Sequence, residues 1–150
     1  MAPLFSSDYK IAFEVRPDYL FVRVELPVNQ YNTARQYWTE VVRMIHKRRY
    51  TRAAIEISAS TALPAAEAKL LMDDFLKIIY PGIRIAIVNP HVSDEVRSSV
   101  EAAAKKRGRS MKIVDNLTLA EAWLLEDQLN FAPAALDSFV QDLTNQGTVQ

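Results

Sequence analysis

The chain has 150 residues, enough for one domain that buries a sizeable core without staples. Its 18 Lys and Arg balance its 18 Asp and Glu, 49% of its residues are hydrophobic, and cysteine is absent. These counts exclude disulfides, thiolate zinc sites and cysteine nucleophiles, and zero net charge speaks against a dedicated nucleic-acid binder.

After an arm over residues 1–8, Tyr9 to Val15 sets Ile11, Phe13 and Val15 on one face at period two. Arg16-Pro17-Asp18 signals a turn, and Leu20, Val22, Val24 and Leu26 resume the alternation, which predicts a hairpin. The period then changes. Over Tyr31 to Lys47, residues Ala34, Trp38, Val41 and Ile45 form a helical stripe widened by Tyr37 and Met44. Ala53 to Ile57 is a short predicted strand. A helix follows from about Pro64 to Ile79, with Ala68, Leu71, Phe75 and Ile78 as its inward stripe. Pro81-Gly82 ends it, and Ile83 to Val88 is a β-branched strand. Ser93 caps the next helix, Asp94 and Glu95 suit its first turn, and Gly108 stands past its end. Met111 to Val114 is the last strand, and Thr118-Leu119-Ala120-Glu121 reads as a capping box opening a helix with Trp123 and Leu124.

The order predicts an α/β domain over residues 9–126, with a mostly parallel five-stranded sheet and one antiparallel strand. Residues 127–150 form an extension. Within it, Leu136, Phe139, Val140 and Leu143 have the spacing of an amphipathic helix, expected to contribute to a homodimer contact. Met1 to Lys10 has no basic n-region, so no signal peptide is expected. The apolar stretch Leu63 to Tyr80 is broken by Glu67, Lys69, Asp73, Asp74 and Lys77, so no transmembrane segment is expected either. A cytoplasmic protein is the expectation.

Within the strands the side chains alternate in chemistry. Arg23, Glu25, Glu56, Arg84 and Lys112 occupy one set of alternate positions, and aliphatic residues occupy the other. Strands buried on both faces would read as continuous apolar runs, so the helices should lie mainly on one side.

Three segments carry a family likeness: Ala53-Ala54-Ile55-Glu56-Ile57-Ser58, Pro81 to Val88, and Met111 to Asn116 running into Leu119-Ala120-Glu121-Ala122-Trp123-Leu124. Together they resemble the STAS fold of anti-sigma-factor antagonists, and more closely the STAS-like group related to CRAL-TRIO lipid-transfer domains. The resemblance spans about Tyr9 to Leu125. It implies a non-enzymatic regulatory or protein-interaction module, with a protein partner or a second copy of itself. The CRAL-TRIO similarity implies the alternative, a binding domain for a small apolar or lipid ligand. Antagonists of this type carry an Asp-Ser-[Ser/Thr] switch at the start of the helix after the Ala53–Ile57 strand. Here that stretch is Leu63-Pro64-Ala65-Ala66, without a hydroxyl, which puts a phosphorylation switch at the family position in doubt and leaves Ser58, Ser60 and Thr61 as the nearest substitutes.

Ligands of open parallel sheets bind beyond the carboxyl ends of the strands. Loops bearing Ser58, Ser60 and Thr61, then Asn89 and His91, then Asp115 and Asn116 should converge there. A serine, His91 and Asp115 invite a nucleophile–base–orienter reading, but no G-x-S-x-G elbow presents the serine. A non-catalytic polar pocket is the stronger expectation. With three glycines, neither G-x-G-x-x-G nor G-x-x-x-x-G-K-[ST] can be written, and two histidines are too few for most metal cages. No cofactor and no metal are implied.

Basic residues gather at the other end of the strands: Arg48, Arg49 and Arg52 after one helix, Lys105, Lys106, Arg107 and Arg109 after another. A phosphate-rich partner would suit such a patch, while cations at helix C-termini also complement the macrodipole. From Ile113 onward the chain holds acidic residues and no Lys or Arg, which reads as a solvated acidic helix or as a partner for the basic edge.

Overall fold

The computed structural model describes residues 9–126. The extension and its stripe Leu136, Phe139, Val140 and Leu143 lie outside the described residues, as does the arm over residues 1–8. The elements run β1 (Lys10–Val15), β2 (Leu20–Glu25), α1 (Tyr31–Arg48), β3 (Arg52–Ser58), α2 (Ala65–Ile78), β4 (Arg84–Val88), α3 (Asp94–Lys106), β5 (Ser110–Val114) and α4 (Leu117–Leu124). One sheet has the order β1-β2-β3-β4-β5, antiparallel between β1 and β2 and parallel elsewhere. This is the α/β, mostly parallel arrangement that the sequence predicts.

The strand order explains where the helices lie. Every parallel crossover advances one strand in the same direction, and right-handed connections then put each crossover helix on the same face. Accordingly α1, α2 and α3 bury one sheet face. Val22, Ile55, Ile85 and Met111 meet Trp38, Phe75 and Val100 in a single core. Trp38 is central to it, tilted against Tyr37 and Phe75. Among the described residues no strand follows β5, so no crossover rule fixes the side that α4 takes. It folds onto the opposite face, where Ala120 and Leu124 cover Phe21, Ala54, Ala86 and Val114 in a second, smaller core.

Local signals mostly hold. Ser93 Oγ accepts the Val96 N–H at 3.3 Å and caps α3. Gly108, at φ +73°, turns the chain into β5, and its carbonyl accepts from the Gly82 N–H at 3.1 Å. Two expectations shift. Ile78 is 55% exposed rather than buried. The inward stripe of α2 is Leu71, Met72, Phe75 and Leu76, about a quarter-turn away from Ile78. The capping box at Thr118 does not form either. Asn116 caps α4 two residues earlier, its Oδ1 accepting the Leu119 N–H at 2.9 Å. Glu121 instead accepts from the Tyr19 hydroxyl at 2.5 Å and pairs with Arg16 at 3.5 Å, which ties α4 to the β1–β2 turn.

Candidate functional site

Two concavities sit back to back at the carboxyl edge of the sheet, one on each face. Ile57 and His91 line both. The first is a polar groove of about 410 Å³ on the second face. Among the described residues α4 covers the Tyr19, Phe21, Ala54 and Ala86 part of this face and leaves the corner at Arg23 and Glu56 uncovered. Arg23, Glu25, Glu56 and Ser58 floor that corner, and His91, Asp115 and Asn116 wall it. Arg23 Nε donates to Glu56 Oε1 at 2.8 Å across the parallel β2–β3 pair, in which these two residues are register partners. Four predicted loop residues, Ser58, His91, Asp115 and Asn116, therefore meet in one groove.

They are not arranged as a triad. Asp115 Oδ1 accepts from Arg97 at 2.7 Å, which takes the carboxylate away from His91. Among the described residues no hydrogen bond joins Ser58, His91 and Asp115. Ser60 is spent on structure, its hydroxyl donating to the Pro27 carbonyl at 2.7 Å. Thr61 is exposed and lines neither concavity. Asn116 serves as the α4 cap while it edges the groove.

The second concavity is an apolar cavity of about 170 Å³ between the sheet and the three-helix layer. Trp38, Leu71, Met72, Ile87, Val96 and Ile113 supply its apolar wall. Among its polar lining residues Asn29 and Asn89 are buried, while His91 and Ser93 are exposed. Asn89 is 3% exposed and Asn29 is 7% exposed, in a core otherwise made of apolar side chains. Asn29 Oδ1 accepts from the Tyr37 hydroxyl at 3.0 Å, and Asn89 Oδ1 accepts the His91 N–H at 3.1 Å. Burial pushes the Tyr37 phenol far above its ordinary value, so it stays a donor.

Arg97 organises the edge that both concavities share. From the first turns of α3 its guanidinium donates to the Val92 carbonyl at 3.0 Å, the Asn89 carbonyl at 3.4 Å and Asp115 at 2.7 Å. It thereby binds the β4–α3 loop to the β5–α4 loop. Sequence reasoning missed Arg97 and Asn29. An arginine beside the Val96–Val100 stripe looks like any solvated helix residue, and Asn29 looks like an ordinary loop residue before α1.

At the amino-terminal edge the basic residues divide. Arg48, Arg49, Lys105 and Lys106 are exposed at helix ends. Arg49 adopts φ 57° and closes α1 by donating its N–H to the Ile45 carbonyl. Arg109 folds back onto the Ile79 and Arg107 carbonyls, and Arg107 pairs with Asp73 at 2.8 Å. The Arg107 guanidinium holds the Asp73 carboxyl below its ordinary value. Arg52 is half-buried in β3. His46 stacks on Tyr80 with centroids 4.9 Å apart. Arg107 and Arg109 are thus engaged in stapling loops and helices together.

Among the described residues, no helix is long and apolar enough to cross a membrane, and no group of His, Asp and Glu could hold a metal ion. No protein-family model matches the chain and no curated protein matches it, so its function is argued from geometry.

Proposed function

We propose that the chain is a non-enzymatic interaction module of STAS-like type, working in the cytoplasm, which meets a protein partner at the polar corner left bare by α4. One observation carries this reading: among the described residues α4 covers part of the second sheet face and leaves Arg23, Glu25, Glu56 and Ser58 in an open groove. A sheet face that water alone was meant to cover would need no such concavity. Its charges have both signs within one strand pair, which suits recognition by complementary charge rather than general attraction. The commitment of Asp115 to Arg97 supports a binding role for His91 and Ser58 over a catalytic one. The first turn of α2 holds Ala65 and Ala66 and no hydroxyl, so regulation here acts through contact rather than a phosphorylated helix start.

The test is native mass spectrometry of protein purified from its own host, beside the exchange variant Arg23→Glu/Glu56→Arg. The exchange keeps an ion pair within the chain while it inverts the pattern that a partner reads. A co-purifying polypeptide lost in the exchange variant is expected. A polypeptide retained by the variant at wild-type stoichiometry contradicts the assignment of the surface.

A further inference from the structure

We infer that the apolar cavity beneath α1, α2 and α3 is a binding site for a small molecule with a compact apolar body and one carbonyl-type acceptor. The inference concerns the other side of the sheet and is independent of the interaction surface proposed above.

Size comes first. At about 170 Å³ the cavity is close to the ~150 Å³ of apolar cavities that take up benzene, and below the ~300–1,000 Å³ of sites for drug-sized ligands. The part of an occupant held inside is therefore a single ring or a short chain. The walls set its body. Trp38, Leu71, Met72 and Val96 offer contact by burial alone, which favours an uncharged apolar group.

Two buried amides set its polar end. Asn29 and Asn89 each commit the side-chain oxygen to a protein donor, Tyr37 and the His91 N–H respectively. The groups they present to a ligand are consequently N–H donors, and a donor inside an apolar cavity calls for an acceptor. Ser93 does not supply that acceptor, because its oxygen is occupied as the α3 cap. A carbonyl oxygen satisfies the amides without bringing a charge into the core. The location agrees: the cavity lies at the carboxyl ends of parallel strands, where open α/β sheets hold their ligands.

The experiment titrates the intact chain with acetophenone, and separately with toluene, which has a similar body without the acceptor, while amide and indole signals are followed by NMR. Acetophenone should shift the Trp38 indole N–H and the side-chain amides of Asn29 and Asn89, with intermolecular NOEs to Val96 and Ile113. Toluene should bind about tenfold more weakly, the worth of one hydrogen bond. Ala68→Phe, which fills the cavity from α2, should abolish both responses. Should that variant not fold, the NOEs in the wild-type chain decide alone. Absence of shifts at saturating acetophenone, as for a cavity holding only ordered water, overturns the inference. So does equal affinity for the two probes, or contact confined to another surface.

Discussion

The two faces of one sheet are built from the same strands by opposite rules. On the first, every inward position of β2 to β5 is apolar, and three helices lie over it. On the second, small or apolar residues such as Ala54 and Ala86 alternate with Arg23, Glu56, Arg84 and Lys112, and among the described residues one eight-residue helix covers part of it. The difference shows how a polar surface is kept without loss of a fold. The first face carries the stability. The second holds α4 by a few specific contacts and leaves a corner open.

The strongest way to break this comparison is to strike the first face. Trp38→Ala removes a side chain that is 1% exposed at the centre of the main core, and should destabilise the protein by about 3–5 kcal/mol in urea denaturation. The matching change on the second face is Leu124→Ala. It should have a smaller effect, about 2–3 kcal/mol, because a short terminal helix can resettle over the gap. Hydrogen exchange distinguishes the two cases. The Leu124 variant should lose protection in α4 alone, whereas the Trp38 variant should lose it throughout.

Arg84 sharpens the contrast. It rises from β4 to lie 4.1 Å from the centre of the Trp123 ring, donates to the Trp123 carbonyl and pairs with Glu126 at 3.6 Å. Arg84→Met keeps the stem and removes the charge, and should weaken α4 attachment by about 1 kcal/mol. A near-zero effect would mean that α4 is held by apolar contact alone.

The smallest effect depends on pH. Burial, aided by Glu121, pushes the Tyr19 phenol up to about 12 from its ordinary value of 10.0. The unfolded chain then releases this proton at a pH where the folded chain still holds it. The stability from Tyr19 is fully present below pH 10 and declines as pH rises toward 12. Tyr19→Phe should flatten that decline in urea curves recorded across the range. An unchanged decline would transfer the effect to another tyrosine.

The first face was legible because burial writes a period into sequence. Ala34, Trp38, Val41 and Ile45 repeat at helical spacing, and Ile55, Ile57, Ile85 and Ile87 repeat at two. The side of the sheet taken by α4 was not legible, since chirality rules act on crossovers and none follows β5 among the described residues. Glu121 misled for a related reason: its spacing from Thr118 fits a local cap, while its partner Tyr19 is 102 residues away. Of the candidate site, the loops carrying Ser58, His91 and Asp115 could be placed by topology. The cavity could not be foreseen, because an unfilled volume belongs to the packing of several elements and to no single segment. Asn29 and Arg97 gave no pattern for the same reason.

The account rests on the bare corner of the second face being the surface that a partner uses. The most direct measurement places a photo-crosslinking amino acid at Glu25, in that corner, and at Lys69, exposed on α2 over the opposite face, in the native host. The account predicts one discrete crosslinked polypeptide from position 25 and none from position 69. The same adducts from both positions, or a discrete adduct from position 69 alone, would contradict it.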